Sequence, residues 1–170
     1  MYISIIILTF AIIYNTKRNK TKIKVKVKKL IESAVIPQYA KIGDAGLDLT
    51  AVSYMYDELT DCHVYGTGLA FEIPYGHVGL LFPRSSNRKT SAYMTNHVGV
   101  IDSGYRGEVM ISFKNRDREP GAIHELIKPY ELGDRIAQLI IMPYPNIELE
   151  ESFELSETER GTGGHGSTGR

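Results

Sequence analysis

Nowhere beyond Leu30 do apolar residues hold a 3.6-residue period across a dozen positions. That excludes amphipathic helices as the main building blocks. Short apolar runs broken by turn residues take their place. Strands are expected at Leu47–Val52, Gly68–Ile73, Val78–Phe82, Val98–Ile101, Glu108–Phe113, Ile123–Ile127 and Arg135–Met142. Between them stand Gly43-Asp44, Pro74-Tyr75-Gly76, Asp102-Ser103-Gly104, Pro120-Gly121 and Leu132-Gly133-Asp134, each a turn signal. Many short strands at close spacing predict an all-β barrel or sandwich. At 170 residues, 42% of them hydrophobic, the chain can bury a real core, and no repeat or linker divides it.

Twenty basic residues balance twenty acidic ones, yet the charge is unevenly placed. Eight basic and no acidic residues lie between Lys17 and Lys29, which leaves twelve basic against twenty acidic elsewhere, a net of −8. Within the basic stretch, Lys22 to Lys28 alternates lysine with Ile23, Val25 and Val27, the pattern of a half-buried strand with one charged face. No aromatic residue interleaves with those lysines, as a single-strand stacking surface would require, so nucleic acid is not an expected partner. Ahead of them, Met1 to Tyr14 is almost wholly apolar. Fourteen residues make about 21 Å of helix, short of a membrane span, and a basic region before the run is missing, as is a cleavage site. A signal-anchor and an extension outside the folded domain both fit residues 1–21; the extension is the reading taken, with the folded domain over 22–147 and a cytoplasmic location.

Residues 148–170 change character. A glutamate-rich stretch runs to Glu159, then Arg160 to Arg170 carries five glycines in positions 161–169, too many for a strand or helix. Small hydroxyls, bare amides and arginines suit a loop that orders around a phosphate chain. Cys62 is the single cysteine, so neither an internal disulfide nor a cysteine-based zinc cluster is possible.

Three further segments could carry chemistry. Pro83-Arg84-Ser85-Ser86 ends an apolar run and offers a guanidinium, two hydroxyls and free amides, an anion nest or simply a capped turn. Gly99 to Glu108 reads as a hairpin with Asp102 at its mouth, a general base toward water or an Asx-turn. Gln138 is the lone polar side chain in an apolar run, and a buried amide needs either a backbone or a ligand partner.

In this order, together with Ala45-Gly46-Leu47-Asp48-Leu49-Thr50-Ala51 and the Gly-rich tail, these segments closely resemble the five motifs of the trimeric dUTPase family. The resemblance implies a jelly-roll-like, distorted β-barrel that forms a homotrimer with active sites shared between chains. It also implies hydrolysis of dUTP to dUMP and pyrophosphate, lowering dUTP and supplying dUMP for thymidylate synthesis, with Mg²⁺ on the triphosphate. Asp102 aligns with the base that activates water for in-line attack on the α-phosphorus. Tyr105 matches the aromatic beneath the deoxyribose, and Asn96 the amide that reads uracil, with groups near Val100, Ile101 and Met110 completing that pocket. Arg84, Ser85, Ser86 and Gln138 match phosphate-contacting residues, and Asp48 the carboxylate that holds magnesium through water. Arg160 matches a clamp on the γ-phosphate, with His165, Gly166, Ser167 and Thr168 beside it in the arm that closes a neighbouring site.

His165 stands where phenylalanine is usual over the uracil ring, Ser86 where glycine is frequent, and Thr95 where glycine often precedes the pocket asparagine. Imidazole also stacks, so function is expected to be kept. A dCTP deaminase shares the fold but would need a glutamate base. A regulatory nucleotide-binding relative remains open as a second role, and membrane display through residues 1–21 as a third.

Overall fold

In a computed structural model, residues 22–116 and 128–164 are described. The extension 1–21, the run Ile123–Ile127, and the tail residues His165, Gly166, Ser167 and Thr168 fall outside them.

The described chain is all-β apart from one 3-10 helical turn at Ser85–Lys89. Ten strands follow in order: β1 Lys26–Lys29, β2 Leu47–Thr50, β3 Ser53–Asp57, β4 Cys62–Gly66, β5 Leu69–Glu72, β6 His77–Pro83, β7 Ala92–Met94, β8 Gly99–Ile101, β9 Met110–Asn115 and β10 Arg135–Pro143. Two four-stranded antiparallel sheets, ordered β2-β10-β6-β8 and β3-β4-β9-β7, accompany a separate β1-β5 pair. Closing two antiparallel sheets over one core is how a jelly roll limits its exposed edges.

Alternation along the strands decides what enters the core. On β10, Ile136, Ala137 and Leu139 are fully buried; on β9, Ile111 and Phe113 turn inward while Met110 faces out. Tyr65 of β4 is wholly buried, and its hydroxyl donates to the Tyr130 carbonyl at 2.8 Å while accepting from the Tyr130 amide at 3.2 Å. Burial pushes the Tyr65 phenol up to about 12 and raises Tyr130 as well. The Tyr130 hydroxyl donates in turn to Asn87 Oδ1 at 2.8 Å. One buried network therefore ties the core to the turn that carries Ser85 and Ser86.

Each expected strand within the described residues forms, Ile123–Ile127 lying outside them, and β3, β4 and β7 are added. The polar β3–β4 pair and three-residue β7 carry too little apolar patterning to stand out. The lysine-alternating strand is shorter than its pattern, because β5 pairs Glu72 with Lys26 and the following Ile73-Pro74 ends the partner. Lys26 and Glu72 form an exposed ion pair at 2.9 Å, with Lys26 Nζ donating. It depresses the Glu72 carboxyl.

The segment after β10 is extended and exposed. Ile147, Leu149, Phe153 and Leu155 alternate along it with glutamates and serines, and each is at least 71% exposed. No helix among the described residues is long and apolar enough to cross a membrane.

Candidate active site

The sequence-selected residues fall into two groups. The first surrounds a cavity of about 320 Å³ lined by Asn96, Gly99, Val100, Ile101, Asp102, Tyr105 and Met110, with Leu81, Val109 and Ser112 behind them. The hairpin expected over Gly99–Glu108 does not form: β8 pairs with β6 in one sheet and β9 with β4 and β7 in the other. The cavity is therefore built at the turn that carries the chain from one sheet to the next. Asp102 follows the last residue of β8, and the Tyr105 amide donates to the Asp102 carbonyl at 3.1 Å, closing the turn. Its carboxylate is exposed at the mouth of the cavity. That leaves it open to a water or a ligand, as a general base requires.

Tyr105 is 44% exposed and lies over the backbone of Gly107, with its hydroxyl donating to the Glu108 carbonyl at 3.0 Å. A Cβ at Gly107 would fall 2.6 Å from Tyr105 Cζ, so only glycine lets the ring lie there. Glu108 ties the end of this turn to Gly68 by accepting from the Gly68 amide at 2.7 Å. On the other wall, Asn96 is exposed and precedes His97, whose φ of 53° lies in the left-handed region. Such strain outside glycine collects at sites where a side chain must be aimed. Ile101 is buried and Val100 and Met110 are exposed, so β8 and the start of β9 present backbone and these two side chains to the cavity.

The second group sits where β2, β6 and β10 meet. The register sets Gln138 opposite Asp48 on one side and Phe82 on the other. Gln138 is half-buried and satisfied by backbone, its Nε2 donating to the Pro83 carbonyl at 3.1 Å. A Cβ at Gly46 would meet Gln138 Oε1 at 2.5 Å, so the glycine of that motif makes room for the amide. Pro83 ends β6, and the 3-10 turn begins with Ser85, exposed, and Ser86, half-buried. Arg84 donates through Nε to Asp48 Oδ1 at 2.7 Å and through Nη2 to Oδ2 at 3.0 Å. Its Nη1 donates to Ser86 Oγ at 3.2 Å and to the Arg135 carbonyl at 3.1 Å. Arg135, which the sequence reading did not select, donates from Nη1 to the same Asp48 Oδ2 at 3.1 Å.

These contacts bear on magnesium. Asp48 accepts from two guanidiniums, and no cluster of three His, Cys, Asp or Glu residues exists among the described residues. The donor set does not fit a metal held by the protein through Asp48, since its charge is already opposed by two cations.

One chain does not bring the two groups together. Gly79 of β6 aligns with Ile101, the residue before Asp102. Arg84 lies five residues further along, about 17 Å at strand rise. Arg160 is exposed on the tail, its Nε donating to the Gly163 carbonyl at 3.0 Å, and touches neither group.

Comparison with known proteins covers both groups. The dUTPase family model matches residues 32–169. The deoxyuridine 5'-triphosphate nucleotidohydrolase of Clostridium acetobutylicum is 38% identical over 148 residues, covering 86% of this chain and 97% of that protein. The Nautilia profundicola protein of the same name is 40% identical, covering 86% and 99%. Among solved structures, a Staphylococcus bacteriophage 80alpha dUTPase variant with dUpNHpp superposes with a TM-score of 0.74 at 30% identity, covering 86% of this chain and 99% of that one. A dUTPase variant from phage phi11 of S. aureus, solved with a structural Mg(II) ion, gives 0.64 at 28% identity, covering 77% and 97%. A match that runs through every strand carrying the two groups, to relatives of nearly the same length, places the chain in the dUTPase family.

Proposed function

We infer that the chain is a dUTP diphosphatase, hydrolysing dUTP to dUMP and pyrophosphate, and so lowers dUTP and supplies dUMP. The observation that carries this beyond family membership is the cavity at the β8–β9 turn, which sets an exposed carboxylate beside an aromatic ring and an amide. Asn96 and the backbone near Val100, Ile101 and Met110 read the uracil edge. A site built to hydrogen-bond one base leaves its own groups unpaired with another, which is a strong form of discrimination. Tyr105 packs beneath the deoxyribose and leaves no room for a 2′-hydroxyl.

Asp102 acts as the catalytic base. It takes a proton from a water that attacks the α-phosphorus; the bond to the bridging oxygen breaks, and pyrophosphate leaves with that electron pair. Ser85, Ser86, Gln138 and Arg84 hold the phosphates, since hydroxyls, an amide and a guanidinium stabilise the charge that develops on the leaving group. Magnesium would arrive on the triphosphate and supply charge neutralisation there; no step is assigned to it. Arg160, His165, Gly166, Ser167 and Thr168 form the arm, with Arg160 on the γ-phosphate and His165 stacked on uracil.

Two features support a homotrimer with shared sites. The Asp102 and Arg84 groups stand at opposite ends of one strand ladder, too far apart to serve the same phosphate within one chain. The exposed apolar alternation at Ile147, Leu149, Phe153 and Leu155 has no cover of its own in this chain, which favours packing of this segment on a neighbouring copy. The cytoplasm is the compartment proposed.

The test is pyrophosphate release from dUTP, dCTP, dTTP and UTP by the purified chain and by Asp102→Asn. Turnover of dUTP alone, lost in the variant, is expected. Binding of dUTP without turnover would replace this reading with a regulatory one.

A further inference from the structure

We propose that Arg135 is a further phosphate-binding residue and that Asp48 is the positioning residue that holds its guanidinium beside that of Arg84. The inference rests on the dUTP-hydrolysing reading above and assigns the chemistry of one end of that site.

The argument is a count of donors. A guanidinium carries five N–H groups. Arg84 directs four of them into the protein: two to Asp48, one to Ser86 Oγ and one to the Arg135 carbonyl. One N–H of Nη2 is left for a ligand. Arg135 gives a single N–H, from Nη1, to Asp48. Its side chain is 56% exposed, against 22% for Arg84. The arginine with spare donors and open access is therefore the one on β10.

Charge points the same way. Arg84 and Arg135 converge on one carboxylate oxygen, Asp48 Oδ2. Two cations on one anion leave a local surplus of positive charge beside the Ser86 hydroxyl and the strand carrying Gln138. Such a surplus is unfavourable until an anion shares it. A di- or triphosphate end presents several anionic oxygens, which a guanidinium fork can meet in pairs. Asp48 keeps two like charges adjacent before the ligand arrives. This is a different task from holding a metal ion, because a dication would compete with both arginines for the same two oxygens.

The experiment measures calorimetric binding of inorganic tripolyphosphate, dUpNHpp and dUMP to the full chain, first in EDTA and then with magnesium. The variants are Arg135→Gln, Arg135→Lys and Asp48→Asn, each checked for its melting temperature and oligomeric state. Arg135→Gln is expected to weaken tripolyphosphate and dUpNHpp about tenfold or more and to leave dUMP within about twofold. Arg135→Lys should recover part of that loss, since it restores the charge without the fork. Asp48→Asn should weaken metal-free tripolyphosphate binding in the same direction, and leave the magnesium concentration for half-maximal turnover unchanged. Wild-type tripolyphosphate affinity in Arg135→Gln would overturn the assignment to Arg135. A raised magnesium requirement in Asp48→Asn, with metal-free binding intact, would overturn the role given to Asp48. Failure of the wild-type chain to turn over dUTP would remove the activity reading, while loss of tripolyphosphate in Arg135→Gln would still support the guanidinium pair.

Discussion

The cavity at the β8–β9 turn and the β2–β6–β10 corner are built by opposite means. The cavity is made of backbone turns and exposed side chains; its one carboxylate, Asp102, stands open at the mouth. The corner is made of groups already engaged with one another: Asp48 with two arginines, Arg84 with Ser86, Gln138 with the Pro83 carbonyl. A base is recognised by shape and by hydrogen bonds that a wrong partner leaves unmade. A phosphate chain is recognised by charge, and charges left loose would lose orientation and side-chain entropy on binding. Under the proposed function, reactivity sits in the open region and pre-organisation in the paired one.

The strongest break of this contrast is Asp102→Asn. Turnover should fall by about 10²–10⁴, read as pyrophosphate release, with tripolyphosphate affinity unchanged. A matching loss of tripolyphosphate affinity would mean that the two regions are not separable. Gly107→Ala is next. Its Cβ would displace the Tyr105 ring, so the preference for dUTP over UTP should drop roughly tenfold, with the melting temperature nearly constant. An unchanged preference would take the 2′-hydroxyl gate away from Tyr105.

Tyr65→Phe acts from the core on the paired region. It leaves the Tyr130 amide without its partner and loosens the link through Asn87 to the serine-bearing turn. Denaturant unfolding should show a loss of about 1–2 kcal/mol, accompanied by weaker tripolyphosphate binding and unaltered deoxyuridine binding. The smallest effect is in pH. The folded Tyr65 phenol is pushed up to about 12 against an ordinary 10, so folding favours its neutral form. That contribution is fully present below pH 10 and fades as pH rises from 10 toward 12. Wild-type and Tyr65→Phe stabilities should therefore converge across that window; a constant gap would place the phenol in a more polar setting.

Legibility in the sequence followed the same division. The β8–β9 turn is local: turn residues and the carboxylate lie within ten positions, so spacing outlined the turn. It read as a hairpin because nothing local shows that its two flanking strands join different sheets. Strands β2, β5, β6 and β10 were visible as apolar runs for the same reason. The corner depends on register between segments far apart in the chain, and a one-residue slip would have turned Asp48 away from Gln138. Motif resemblance supplied Arg84, Ser85 and Gln138 there, but not Arg135, whose part appears only when β10 is laid against β2. The β3–β4 pair escaped because Ser53-Tyr54-Met55-Tyr56-Asp57 mixes polar and aromatic residues without a clean period. The strand ahead of Lys26 was overcalled because alternation reports a face and says nothing of whether a partner strand reaches it.

The ladder of β6 against β8 has a genetic consequence. It sets Asp102 and Arg84 of one polypeptide about 17 Å apart, so under the proposed sharing of sites between copies each chain serves two reactions by halves. Two alleles, one damaged at Asp102 and the other at Ser86, would each be inactive alone. Co-expressed, they would assemble some sites from the undamaged half of each, and a measurable fraction of activity would return. A single allele damaged at both ends would only dilute its healthy neighbour, and so would behave as a dominant lesion.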